Sequence, residues 1–158
     1  MKKALIYYSV SGKTRFVAEA ISRMTIVDLI EIKTPEVIKQ NIFSRYIGGF
    51  KQMRNKDDVT LIPINFNLDE YDTIYIGTPT WNASPPPAVK EFFRQNQIAH
   101  KNVYLFSTYM GRGGMKCLDS LSDMLGDNTI KSKTAFINSK GMKLDSFKKK
   151  ILKLLNIE

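Results

Sequence analysis

With 158 residues, the chain is long enough for one full core and too short for two comfortable ones. A hydrophobic content of 43% with 11% aromatic residues excludes a disordered chain, and no apolar run approaches the roughly 20 residues that span a bilayer. The formal net charge of +9 favours non-specific attraction to acidic partners and says little about fold.

The single cysteine, Cys117, excludes an intramolecular disulfide and agrees with a reducing compartment. With His100 as the lone histidine, a Cys/His zinc site cannot be assembled. Met1-Lys2-Lys3-Ala4-Leu5-Ile6 starts like a secretory signal, but its apolar segment is too short and is broken by Ser9 and Ser11, so a cytoplasmic location is expected. The basic residues are spread along the chain and are densest at Lys148, Lys149, Lys150 and Lys153. There they alternate with Phe147, Ile151, Leu154 and Leu155, the pattern of an amphipathic helix with a solvated basic face. No aromatic–basic surface pattern supports nucleic-acid binding.

In chain order, the apolar run Ala4-Leu5-Ile6 leads into Tyr7-Tyr8-Ser9-Val10-Ser11-Gly12-Lys13-Thr14, and apolar residues at helical spacing follow to about Met24. That is a strand delivering a hydroxyl-rich loop onto a helix N-terminus. The first-turn amides lack intrahelical acceptors and the dipole is positive there, so the junction suits an anion. Ser9, Ser11 and Thr14 offer hydroxyls, and Gly12 permits close backbone approach. Three readings of this loop compete: a turn in which Ser11 only caps the helix, a nucleotide-triphosphate loop, and a monophosphate cradle. The second fails because Tyr7 stands where that motif needs its first glycine, and no later strand ends in a magnesium-holding acid.

Ile26 to Ile32 reads as a second strand ended by Pro35, and Val37, Ile38, Ile42, Tyr46, Ile47, Phe50 and Met53 recur at helical spacing across Gly48-Gly49. Val59 to Phe66, around Pro63, reads as an extended lead-in. Asp72 to Gly77 is a buried central strand running into Thr78-Pro79-Thr80-Trp81-Asn82-Ala83-Ser84, with Pro85 to Pro87 opening a helix that carries Val89, Phe92 and Phe93 inward. Asn102 to Ser107 forms a fourth strand and Thr108 to Gly114 a glycine-rich loop. Next comes a helix with Met115, Leu118, Leu121 and Leu125 on one face, then a last strand from Lys133 to Ile137 and a helix capped by Asp145.

Strand and helix alternate five times, which calls for a parallel sheet with helices on both faces and one domain over 1–158. Ligands of such sheets bind beyond the carboxyl ends of the strands. The loops Ser9 to Thr14, Thr78 to Ser84 and Thr108 to Gly114 all follow strands and therefore share that edge.

In these three segments the chain resembles the flavodoxins, in particular the bacterial flavodoxin-like group of similar length. Tyr8 to Thr14 is similar to that group's phosphate loop, Tyr71 to Trp81 to its first flavin-flanking loop, and Phe106 to Gly114 to its second; Tyr46-Ile47-Gly48-Gly49-Phe50 also has a counterpart there. The resemblance implies a three-layer α/β/α sandwich with strand order 2-1-3-4-5 and a noncovalently held flavin mononucleotide (FMN). Its phosphate would lie on Ser9, Val10, Ser11, Gly12, Lys13 and Thr14. Its isoalloxazine ring would sit between Pro79, Thr80, Trp81, Asn82 and Ala83 on one side and Thr108, Tyr109, Met110, Gly111, Gly113 and Gly114 on the other.

Trp81 offers a broad face for stacking on a flat ring, or is an ordinary packed tryptophan. Tyr109 either flanks the opposite face or packs on the helix after it, and the three glycines either approach the ring's polar edge or only serve the turn. The group usually has threonine at Ser11 and a neutral residue at Lys13. Lys13 strengthens phosphate binding if it turns inward and is a surface lysine if it turns outward, as expected here. Many relatives have glycine in the loop where this chain has Asn82-Ala83, and electron-carrier flavodoxins are usually acidic. This chain is basic.

The reading is an FMN electron carrier, a monomer with no catalytic side chain and no metal, shuttling electrons between redox partner proteins that present acidic docking surfaces, with neither nucleic acid nor membrane as partner. Two alternatives stay open: an NAD(P)H-dependent FMN or quinone reductase, and an interaction module of the same fold without cofactor.

Overall fold

The computed structural model describes residues 1–35 and 59–157. Its first strand, β1 (Lys3–Tyr8), alternates between two apolar clusters: Ala4, Ile6 and Tyr8 enter one, Leu5 and Tyr7 the other. A strand period of two sends successive side chains to opposite faces, so a strand this apolar must be covered on both. The cover comes from four helices among the described residues. α1 (Lys13–Ser22) and α4 (Leu144–Leu155) place Val17, Ile21, Phe147 and Ile151 against Leu5 and Tyr7. α2 (Pro87–Gln95) and α3 (Gly114–Met124) place Val89, Phe92, Leu118 and Leu121 against Ile6 and Tyr8.

The remaining strands are β2 (Asp28–Ile32), β3 (Thr73–Pro79), β4 (Asn102–Tyr109) and β5 (Thr129–Ile137), all parallel, in the order β2-β1-β3-β4-β5. This is the expected three-layer sandwich and strand order. From β1 the chain steps to one side for β2 and to the other for β3. The loops leaving β1 and β3 therefore diverge at their carboxyl ends and open the crevice where such sheets take ligands.

Several boundaries differ from the sequence expectation. β3 runs past Gly77 to Pro79 and β4 past Ser107 to Tyr109, because Thr78 pairs with Ser107 and Pro79 with Thr108. β5 begins at Thr129 rather than Lys133; as an edge strand it alternates Lys131 and Lys133 with less exposed residues, which hid it from an apolar-run criterion. α1 ends at Ser22, not Met24, and β2 starts at Asp28, not Ile26. Met115 is exposed, and the inward stripe of α3 is Gly114, Cys117, Leu118 and Leu121. Asp145 does not cap α4: the cap position is Lys143, and Asp145 lies in the first turn, where its charge favours the helix dipole.

Val59 to Phe66 is extended without strand pairing, Ile62 N–H donating to the Lys33 carbonyl at 2.8 Å while Leu61, Ile64 and Phe66 pack on the α2 side. The helix expected from Val37 to Met53, with Tyr46-Ile47-Gly48-Gly49-Phe50, falls outside the described residues. Among the described residues no helix is long and apolar enough to cross a membrane.

Candidate functional site

The loop after β1 turns into α1 through Gly12, whose φ of +76° is left-handed and disfavoured for any residue with a Cβ. Gly12 brings no capping side chain and the first turn of α1 carries no acid. The positive end of the helix is thus uncompensated by a carboxylate. Ser9 accepts the Arg15 amide on its Oγ at 3.2 Å, which leaves its own hydroxyl proton to donate. Val10 and Ser11 are half-buried between them. Thr14 is buried, its Oγ1 2.8 Å from Thr108 Oγ1. One hydroxyl must donate to the other, so at most one of the two protons remains for a ligand. This bond ties the first loop to the end of β4.

The charges around the loop are separately placed. Arg15 is held by Glu31 in an ion pair that raises its pKa and removes its charge from play. Lys13 is half-buried, and its ammonium touches Met110 Sδ of the loop after β4 in an exposed contact. Lys140, not singled out from the sequence, brings its Nζ to 3.3 Å from where a Cβ on Gly12 would stand.

The loop after β3 closes as a two-residue hairpin turn. Trp81 N–H donates to the Ser84 carbonyl at 2.9 Å and Ser84 N–H returns to Trp81 at 3.0 Å, with Asn82 and Ala83 at φ +49° and +58°. Positive φ at both central residues is the type I′ pattern, which asparagine tolerates and alanine does not favour. The Trp81 ring meets Tyr8 edge-on, centroids 6.2 Å apart at 71°, and stays half-exposed at the rim. Pro79 ends the strand, and Thr80 N–H donates to Thr108 O at 2.9 Å. The Thr80 hydroxyl is buried and finds no partner at hydrogen-bonding geometry. It lies near Cys117, whose thiol burial pushes up to about 11 while Thr80 opposes part of the shift.

The loop after β4 mirrors the first. Gly113, at φ +91°, precedes α3, which again has no capping side chain and no acid in its first turn. Ser107 Oγ donates to Gly114 O at 3.0 Å and fixes the start of the helix. Tyr109 is half-exposed, its ring resting on Gly114, where a Cβ would come within 2.7 Å of Cδ1. Met110 and Gly111 are exposed at the loop tip. The two later loops touch at Ala83 and Gly113.

Every residue expected at the site therefore lies in three loops, or in the strand ends and first helical turns that flank them, at one edge of the sheet, linked by Thr14–Thr108, Lys13–Met110 and Ala83–Gly113. Two helix N-termini that begin at left-handed glycines lie at that edge, the Arg15 amide of the first already taken by Ser9, and a half-exposed indole stands beside them. The arrangement fits a ligand that pairs an anionic group with a flat aromatic body. No cluster of His, Cys, Asp and Glu suited to a metal occurs among the described residues. A separate cleft of about 220 Å³, lined by Lys3, Thr73, Asn102 and Lys131 among others, lies at the opposite, amino-terminal edge.

Comparison with known proteins decides the family. The flavodoxin sequence profile matches residues 2–151. The chain belongs to the flavodoxin family. No curated protein sequence matches this flavodoxin significantly. Among solved structures it is similar to a flavoprotein from Lactobacillus acidophilus NCFM in complex with FMN, at 22% identity and TM-score 0.72, covering 93% of this chain and 98% of that one. The apo-form of a flavoprotein from the same organism gives 24% identity and TM-score 0.67, with 88% and 94% covered. Oxidised Flavodoxin 1 from Bacillus cereus gives 17% identity and TM-score 0.60, with 99% and 97% covered. At these identities the likeness shows the fold.

Proposed function

We propose that this flavodoxin binds FMN and carries electrons between redox proteins. The observation that carries the reading is the pair of glycine-turned helix N-termini at Gly12 and Gly113, neither glycine bringing a capping side chain, that open on the same rim as the Trp81 hairpin. The Ser9 hydroxyl and the amides of the α1 first turn would hold the phosphate, and the Trp81 and Tyr109 loops would take the ring between them. When bound, the flavin supplies reversible electron transfer; the chain binds it, orients it and sets the charge around it. The formal charge of +9 favours partners with acidic docking faces.

Trp81 is the sole tryptophan, so intrinsic fluorescence reports directly on the rim. Titration of flavin-free protein with FMN is expected to quench both Trp81 and flavin emission at one equivalent; unchanged emission of both overturns the cofactor reading. In stopped flow, the carrier reading expects NADPH alone to leave the flavin bands unbleached and bleaching to require an added reductase. Rapid direct bleaching by NADPH would replace it with the reductase reading.

A further inference from the structure

The turn joining β5 to α4 forms a fourth segment at the rim, and it presents Lys140 to the Gly12 loop. Asn138 takes a left-handed φ of +42° and its N–H donates to Tyr109 O at 2.9 Å, anchoring the turn to the end of β4. Ser139 is buried and donates its hydroxyl to Lys13 O at 3.3 Å, anchoring it to the first turn of α1. Gly141 N–H closes the turn on Asn138 O at 2.8 Å, and a Cβ at Gly141 would stand 2.5 Å from Asn138 Nδ2. The backbone on both sides of Lys140 is thereby fixed.

Lys140 is exposed, and its ammonium sits 3.3 Å from the Cβ position that Gly12 lacks, so the cation lies beside the loop. Among the described residues Lys140 joins no ion pair, whereas neighbouring Arg15 is neutralised by Glu31. A cation held against a helix N-terminus faces the positive end of the dipole, an unfavourable placement that an anion shared by both relieves.

We propose that Lys140 is a phosphate-binding residue that lets this chain discriminate a phosphorylated flavin from an unphosphorylated one. The proposal rests on the cofactor reading above and adds to it a charged contact from a fourth loop. Ser9 and the α1 amides would supply directional hydrogen bonds, and Lys140 the countercharge for a group that is largely dianionic above pH 6.

The test compares FMN with riboflavin, which shares the ring and lacks the phosphate, by quenching of Trp81 emission in wild type, Lys140→Gln, Lys140→Arg and Lys149→Gln, the last an exposed lysine on α4. Lys140→Gln is expected to weaken FMN about three- to tenfold and to flatten its salt dependence. Riboflavin affinity should be unchanged, Lys140→Arg should restore FMN binding, and Lys149→Gln should match wild type. Equal FMN affinity in Lys140→Gln and wild type overturns the proposal. So does parallel loss of both flavins, which would mean the turn and not the charge was damaged, and so does equal weakening by Lys149→Gln, which would mean net charge alone. A wild-type chain that takes up neither flavin overturns the cofactor reading itself and the role of Lys140 with it, an outcome recognisable before any variant is made.

Discussion

The methyl of Ala83 occupies the space that a side chain on Gly113 would need: a Cβ built there would stand 2.8 Å from Ala83 Cβ and 3.0 Å from Ala83 Cα. One side of that contact is backbone of a closed turn and has little room to yield. Gly113 also has a φ of +91°, which L side chains rarely adopt. Gly113→Ala is therefore expected to destabilise the chain by about 2 to 4 kcal/mol, strain and overlap combined, and to weaken flavin uptake by separating the two rim loops. Urea unfolding checks the first expectation and fluorescence titration the second; a variant as stable as wild type would show that the loops do not touch.

Across the same contact, Ala83 itself holds a φ of +58° as the second central residue of its turn. Glycine there removes a left-handed penalty of about 1 kcal/mol but adds freedom to the unfolded chain. The balance favours the variant by roughly 0.5 kcal/mol, a rise in Tm of about 1 to 2 °C for a chain of this length. A fall in Tm on Ala83→Gly would mean that the Ala83 methyl contributes more by packing than it costs in strain.

These two positions also mark where the sequence stops being informative. The first loop is legible because Ser9, Ser11 and Gly12 advertise their conformations, and the last because glycines crowd it. Asn82-Ala83 hides a tight hairpin, since alanine is not a residue that signals positive φ. Asn138-Ser139-Lys140-Gly141 reads as any polar connection. Its placement over Gly12 depends on bonds to Tyr109 and Lys13, far away in the chain, which no local pattern encodes. Met115 departs from the expected inward face for a related reason: that face of α3 is set by Gly114 seating under the Tyr109 ring, not by the hydrophobic count. The sheet was legible almost throughout, its alternation of strand and helix leaving few arrangements open.

The Thr14–Thr108 pair, buried with its oxygens 2.8 Å apart, joins the phosphate loop to β4. Thr14→Val strands the Thr108 hydroxyl and is expected to cost about 1 to 3 kcal/mol. The double variant with Thr108→Val removes both polar groups, so its cost should be less than the sum of the single ones. Additive costs in a double-mutant cycle would show that the hydroxyls act independently.

Burial holds the Cys117 thiol up to about 11, against an ordinary value of 9.0. Between those values the unfolded chain has released the proton that the folded chain retains. The unfolded state then binds fewer protons, and stability falls as pH rises through the window, by roughly 2 to 3 kcal/mol at its upper end. Tyr7 and Tyr75, raised mainly by burial, act in the same direction. Urea midpoints should be flat to about pH 9 and then decline, with a shallower decline in Cys117→Ala. Parallel profiles would mean that the thiol is not protected by the fold.

Reduction of a bound flavin adds negative charge at the rim, and its free energy depends on the potential the chain sets there. The overall charge of +9, the acid-free first turns of α1 and α3, and the ammoniums of Lys13 and Lys140 all make that potential positive. The two-electron midpoint potential is therefore expected to be less negative than in an acidic carrier of the same fold. Screening gives the test within one protein. The Debye length falls from about 30 Å at 0.01 M salt to about 10 Å at 0.1 M, so distant lysines lose their influence while those at the rim retain theirs. Potentiometric titration across that range should show the potential becoming more negative with added salt. A potential that rises with salt would mean that local acids outweigh the basic surface, and one that stays fixed would confine the control to hydrogen bonds at the ring.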